Sequence, residues 1–419
     1  MRHSKMLLRA RVVLPISQSP IENGAVLISG NRIAQVGLWK SISAGNRCKT
    51  IDLGETILLP GFVNAHCHLD YTDMAGRIPP QKNFTDWIKL MLATKSEWSR
   101  SEYMESWRRG AAMLLRSGTT TVGDFEAVPE LLPDILNSTP LRVISFLEMT
   151  GVKSRRAPAA ILQEALDRIE SFPKTFRAGL APHAPYSTFP ELIRLSARSA
   201  KKNHLPISIH VSESIQEFEM FARGRGVMFD WLRRGERDMS DCGRGSPVRH
   251  LERCGALNKN LIAVHVNYLA PGDAALLARR QVSVAHCPRS HFYFRHEKFP
   301  FEKLARAKVN VCFGTDSLAT VYKTRKETVK LNMFEEMRAF AEIHPRAPAK
   351  RILEMATING ARALGLAGKI GELSKGAFAD CVAIPFSGKI SGAHEAALNH
   401  TGDVLTSLIG GKWAIAPGA

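Results

Sequence analysis

The stretch ILLPGFVNAHCHLD, residues 57–70, starts as an apolar run and ends in a dense group of polar side chains. Ile57, Leu58, Leu59, Phe62 and Val63 read as strand. His66, Cys67, His68 and Asp70 then offer four potential metal donors within five residues. A strand that delivers ionisable groups at its C-terminal end is the unit from which α/β active sites are built. The fold depends on whether the chain repeats that unit.

It does. Further strand-like runs follow at TTTVGDF (119–125), LRVISFLEM (141–149), FRAGLAPH (176–183), LPISIHV (205–211), LIAVHV (261–266), QVSVAHC (281–287) and KVNVCFGTD (308–316). Amphipathic segments such as ESWRRGAAMLLRSG and AAILQEALDRIESF lie between most of them. Eight βα units in one stretch of chain predict an α/β fold of the TIM (β/α)8 type. A doubly wound sheet is the competing arrangement, but no GxGxxG follows the first strand. The two chain ends have a different character. RVVLPI, GAVLISG, NRIAQVGLW and CKTIDL near the start are short β-type runs, as are the runs within 371–384 and 403–416. They are expected to pack together as one small β unit.

The ionisable residues follow a positional rule. His66 and His68 end the first strand, Asp124 the second, and His183 the fourth, with Glu148 near the end of the third. His210 lies in the fifth with Glu213 just beyond, His265 in the sixth, His286 in the seventh, and Asp316 ends the eighth. In a barrel all these ends meet at one mouth. Side chains alternate along a strand, so His66 and His68 share a face and Cys67 points away. An isolated His-x-His is a weak signal. Joined by His210 and Asp316 it becomes three nitrogens and a carboxylate, a set that leaves a position open for water, as in catalytic metal sites.

Composition narrows the classes. The chain has 419 residues, 45% of them apolar, enough for a large core. The formal charge is 57 − 39 = +18. No Lys/Arg run exceeds two and no aromatic-basic interleaving appears. The excess is therefore read as a solvated basic surface, with a nucleic-acid interface as a distant alternative. Arg9 and Arg11 interrupt what would be an apolar signal core, and no apolar run approaches a membrane span. Seven scattered cysteines without a CxxC pair suit a reducing, cytoplasmic setting. The sequence leaves a homo-oligomer open.

The motifs LPGFVNAHCHLD (59–70), GTTTVGD (118–124), APHAPYS (181–187), HVSE (210–213), VHVNYL (264–269), VAHCPRS (284–290) and FGTDSLA (313–319) resemble, in this order, those of the amidohydrolase superfamily. MATINGARALG (355–365) and GELSKGAFADCVAI (371–384) extend the likeness to the tail. Within the superfamily the sequence is most similar to the aminohydrolase branch of adenosine-type, methylthioadenosine/S-adenosylhomocysteine, aminodeoxyfutalosine and guanine deaminases and triazine chlorohydrolases. The resemblance implies a distorted barrel over 57–365 and a β-sandwich from 1–56 and 366–419. It implies one divalent metal, Zn²⁺ by expectation with Fe²⁺ or Mn²⁺ as alternatives, held by His66, His68, His210 and Asp316. His265 would hydrogen-bond the metal's water, Glu213 would shuttle protons, and His183 and His286 would face the substrate. Branches with two metals carry a lysine at the end of strand four; here that end reads APHA.

The implied reaction is hydrolytic deamination of an aminopurine nucleoside or related amino-heterocycle, with Glu213 and Asp316 moving the protons. The bland reading of Glu213 is an acid at a helix start, since SESIQEF opens like a helix. A chlorohydrolase or cyclic-amide hydrolase of the same fold is the alternative. After strand one, DYTDMAGRIPPQKNFTDWIKLML (70–92) reads as a lid or as a helix on the barrel. Its Phe84, Trp87 and Ile88 could cover an aromatic ring. After strand seven HCPRSHFYF (286–294) departs from the branch's HNPxSN, with His291 in place of Asn and Arg289 beside it. Arg289, Arg77 and the arginines of the insert 214–260 suggest a carboxylate on the substrate.

Overall fold

The computed structural model describes residues 5–46, 48–152, 156–324, 326 and 328–418. The chain opens with β1 (Lys5–Val13), β2 (Ile21–Ser29), β3 (Arg32–Leu38), β4 (Lys49–Asp52) and β5 (Thr56–Pro60). The barrel strands follow: β6 (Phe62–Cys67), β7 (Thr119–Glu126), β8 (Arg142–Met149), β9 (Arg177–Pro182), β10 (Ile207–Val211), β11 (Leu261–His265), β12 (Ser283–His286) and β13 (Asn310–Phe313). β14 (Cys381–Pro385), β15 (Thr406–Ile409) and β16 (Lys412–Ile415) end the chain. β6 to β13 pair in sequence order as one parallel sheet. β1–β5 and β14–β16 form a second sheet in which β14 pairs antiparallel with β5, joining the two chain ends.

One expected strand divides. The run 57–66 breaks at Gly61: β5 belongs to the end sheet, and β6 alone enters the barrel. Packing explains the break. A Cβ on Gly61 would stand 2.1 Å from the Thr120 side chain, so only glycine lets the chain cross from one sheet to the other here. The seven other runs lie where the sequence placed them; β7 runs one residue further, to Glu126, and the other six lose one to three residues at one or both ends.

The barrel strands are almost wholly buried, because side chains fill the interior and helices cover the outside. Val63, Ala65, Ile144, Phe146, Ile262 and Val264 pack together in one apolar cluster. Leu8, Val26, Leu58, Leu373 and Leu408 form the core of the end sheet. Fully burying side chains of this size contributes about 1.5–3 kcal/mol each before chain entropy is set against it.

The barrel closes through the loop after β13. Thr315 N and Asp316 N both donate to His66 O, at 2.9 and 3.2 Å, and Gly314 N donates to His286 O. A Cβ on Gly314 would meet His66 O at 2.7 Å. The glycine of the GTD triplet is thus the residue that lets Asp316 approach His66.

Candidate active site

Three imidazoles and one carboxylate meet where β6, β10 and the loop after β13 end. His210 Nε2 lies 3.3 Å from both His66 Nε2 and His68 Nε2. Asp316 Oδ1 lies 3.8 Å from His66 Nε2 and from His68 Nε2. The His210 tautomer follows from its surroundings. Its Nδ1 is 2.9 Å from the His183 carbonyl, which can only accept, so Nδ1 carries the proton and Nε2 presents a lone pair to the centre.

All four groups are buried. Burial, reinforced by neighbouring imidazoles, holds His66, His68 and His210 well below the ordinary imidazole range, so they stand neutral. Clustered neutral imidazoles beside a buried carboxyl, with no cationic side chain between them, have the donor set and charge deficit that a divalent cation satisfies. His66, His68 and Asp316 have ligand atoms within 4.8 Å of one another, and so do His66, His210 and His265.

The remaining donors border this centre. Glu213, one residue past the bend that ends β10, has Oε1 3.5 Å from His265 Nε2. Burial, then Asp316, then Glu217 push its carboxyl well above the usual range, which favours its protonated form. Burial holds His265 down to about 3. Glu213 is not a helix cap: Ser214 fills that place for the helix Ile215–Arg223, accepting from Glu217 N. The site backbone is bent against preference. Ser212, His265, Val266 and Asp316 have φ of 55°, 72°, 51° and 53°. Non-glycine residues in that region cost about 1–3 kcal/mol each and persist where surroundings over-determine them.

A cavity of about 200 Å³ opens on this centre, with His68, His183, His210, Glu213 and Asp316 in its wall. Its opposite side is apolar and aromatic. The helix Phe84–Glu97 contributes Phe84, Trp87, Ile88, Met91 and Leu92, and Asn83 starts it by accepting from Asp86 N at 3.0 Å. The stretch 70–92 is thus a 3₁₀ turn and a packed helix rather than a free lid, yet Trp87 does face the cavity. His183 has Nδ1 2.6 Å from Ser187 Oγ.

Sequence reasoning missed several wall residues. Trp231 and Leu232 come from the insert 214–260, and Lys95 lies over the Tyr71 ring, 3.8 Å from Glu148, which the strand-end rule had placed at the mouth. The helical spacing of Phe84, Ile88, Met91 and Lys95 is the signal that could have placed Lys95 beside Phe84 and Ile88.

Two expected substrate contacts stand elsewhere. His286 stacks on Phe299 at 3.7 Å between ring centroids, and with Arg289 it lines a second, larger cavity. Arg289 is held by Glu335 at 2.9 Å and by the Lys330 carbonyl at 2.8 Å, so its guanidinium has partners within the fold. Arg77 lies over the Trp98 ring, and the insert's Arg237 is buried against Asp241 at 2.7 Å. Among the described residues, the Lys or Arg on the first cavity's wall is Lys95, not one of these arginines. Asp124 also turns from the mouth: it accepts from Leu69 N at 3.0 Å and Trp107 Nε1 at 2.8 Å, anchoring the turn after His68. Cys67 is buried in the cluster containing Leu69 and Trp107.

The Arg289 contact gives a pH prediction. Glu336 is buried, accepts from Arg289 N at 2.9 Å, and is pushed by burial up to about 8 against the pull of Arg289. Glu217 is likewise raised to about 8. From the ordinary carboxyl range to about 8 the folded chain holds these protons and the unfolded chain does not. Stability therefore falls as pH rises across that window, by up to about 1.4 kcal/mol per pH unit and group. Glu336→Gln is expected to flatten the fall of the urea midpoint between pH 5 and 8; an unchanged slope would refute it.

Comparison with known proteins agrees with this geometry. The family model described as "Amidohydrolase family" matches residues 57–414. A 5-methylthioadenosine/S-adenosylhomocysteine deaminase of Syntrophobacter fumaroxidans is 31% identical over 381 residues, covering 87% of this chain and 80% of that protein. A 5'-deoxyadenosine deaminase of Methanothermobacter thermautotrophicus is 30% identical over 374 residues, covering 86% and 81%. Among solved structures, an adenosine deaminase from Xanthomonas campestris with bound zinc superimposes with a TM-score of 0.84 at 24% identity. That match covers 99% of this chain and 93% of the other, and is a likeness of fold.

Proposed function

The chain belongs to the amidohydrolase family, and from that premise we propose that it is a metal-dependent aminohydrolase that deaminates an aminopurine nucleoside or related amino-heterocycle. One observation carries the reading. Three neutral imidazoles and Asp316 converge at the floor of an aromatic-walled cavity, with the buried Glu213 carboxyl at their edge. The relatives named as deaminases of adenosine derivatives support the same substrate class.

In this reading His66, His68, His210 and Asp316 hold one divalent ion. Zn²⁺ is assigned because a fold neighbour carries it, while N/O donors would also take Fe²⁺ or Mn²⁺. Such an ion supplies an activated water at neutral pH. The residues do the rest. Glu213 gives its proton to the ring nitrogen beside the carbon that bears the amino group, which makes that carbon electrophilic. Asp316 accepts the proton released as water adds. Asp316 then passes that proton to the amino group, and the Glu213 carboxylate takes the proton of the added hydroxyl, so that ammonia leaves while the ring keeps the oxygen and both carboxyl groups are restored. His265, neutral and 3.5 Å from Glu213, orients that carboxyl and the water. Phe84, Trp87 and Tyr186 supply flat surfaces against a planar ring, and His183 offers a hydrogen bond to it. A substrate carboxylate, where present, would pair with Lys95.

The test is release of ammonia by the metal-loaded protein. The panel would hold adenosine and its 5'-modified derivatives, guanine, cytosine, a pterin and a chlorotriazine. Ammonia from the adenine nucleosides is expected. Chloride from the triazine with no ammonia from any purine would transfer the chain to the chlorohydrolase alternative.

A further inference from the structure

The corner carrying Glu213 and the corner carrying His265 are both sharply bent, and Asn267, two residues past His265, ties itself to the first. Its backbone N donates to Ser212 O at 3.0 Å, and its side-chain Nδ2 donates to Glu213 O at 2.8 Å. Val266 N donates to Val211 O at 3.0 Å beside it. The Asn267 amide is in turn set by a neighbour: its Oδ1 lies 3.0 Å from His291 Nδ1. An amide that spends its NH₂ on Glu213 has only its oxygen left for His291, so His291 Nδ1 must carry the proton. Asn267 and His291 are both buried, and neither lines the cavity above the metal-type residues.

His291 lies on the short helix Pro288–Tyr293 that follows β12. The preceding residue, Ser290, hydrogen-bonds the Asp316 carboxyl. One turn of helix therefore reaches the Asp316 carboxyl directly and the Glu213 peptide through Asn267. This is also where the sequence departs from the HNPxSN pattern; His291 borders the second cavity with His286 and Arg289, not the cavity above the metal-type residues.

We propose that Asn267 and His291 are positioning residues for Glu213: the His291 imidazole fixes which way the Asn267 amide points, and that amide fixes the Glu213 peptide. The inference rests on the reading of Glu213 as the proton donor. A donor displaced by about 1 Å can cost roughly 10²-fold in rate without weakening substrate binding.

The test uses three variants of the metal-loaded protein. His291→Leu removes the donor. His291→Asn places an amide NH₂ where Nδ1 stood, two bonds from Cβ. Asn267→Asp keeps shape but turns a second oxygen on Glu213 O. His291→Leu and Asn267→Asp are expected to lower kcat by about 10- to 100-fold, with KM within about twofold and metal content unchanged. His291→Asn should recover to within roughly threefold of the parent. Hydrogen exchange of the peptide spanning 207–223 should rise in the first two and stay at the parental rate in His291→Asn. Parental exchange in Asn267→Asp and His291→Leu would overturn the proposal. So would a His291→Asn variant as impaired as His291→Leu. The exchange readout does not depend on the substrate. Altered exchange in a protein whose parent deaminates nothing would refute the proposed function and leave the positioning role standing.

Discussion

Glu213→Gln should fold, keep its metal and lose about 10²- to 10⁴-fold in turnover. The substitution preserves shape and hydrogen-bonding length but leaves no proton to give or take. It is a clean probe because the side chain has no structural duty to lose. Ser214 caps the following helix, and Glu217 accepts from Glu213 N at 2.9 Å through the main chain. An ordinary helix-start acid would cost about 1 kcal/mol of stability on substitution and nothing in rate. Here the expected pattern is the reverse: thermal midpoint and metal stoichiometry near the parental values, with kcat collapsed. The buried setting supports the size of the effect, since burial and the neighbouring Asp316 raise this carboxyl and so favour the form that can donate a proton. A variant retaining turnover within tenfold of the parent would sink the assignment.

The parts of this site that sequence reveals share one physical basis. Strand ends in a parallel barrel have nowhere to go but the common mouth, so His66, His68, His210, His265 and Asp316 could be gathered from positions some 250 residues apart. Glu213 could be added because it follows the fifth strand directly. What sequence hid falls into two kinds. Sheet membership was hidden at Gly61, because an unbroken apolar run does not say where a chain changes sheets; the contact between Gly61 and Thr120 does. The directions of long side chains were hidden as well. Arg289 looked like a substrate cation, but Glu335 and the Lys330 carbonyl hold it. Lys95 was not singled out, yet its helix lies across the cavity and brings it to the wall. Alternation and periodicity give the face of an element, not what the element packs against. The left-handed bends at Ser212, His265, Val266 and Asp316 left no trace in residue type, since none is glycine.

His68→Ala should abolish stable metal binding. Elemental analysis should find the metal stoichiometric in the parent and near zero in the variant. His68 Nε2 stands 3.3 Å from His210 Nε2 and 3.8 Å from Asp316 Oδ1, inside the convergent set. Removing it leaves two imidazoles and a carboxyl, and a coordination gap open to the cavity. Cys67 is the internal control. Its thiol is buried with Leu69 and Trp107, and burial together with Asp124 pushes it well above the ordinary thiol range, so it offers no thiolate. Cys67→Ala is therefore expected to keep the metal. A second readout is independent of catalysis. Metal at 100 times its dissociation constant stabilises a binding-competent fold by about 2.7 kcal/mol. The thermal midpoint of the parent and of Cys67→Ala should rise when metal is restored to the stripped protein, while that of His68→Ala should not move. Full occupancy in His68→Ala, or loss of metal in Cys67→Ala, would break the ligand assignment. Either result would also remove the link from the convergent imidazoles to a hydrolytic centre.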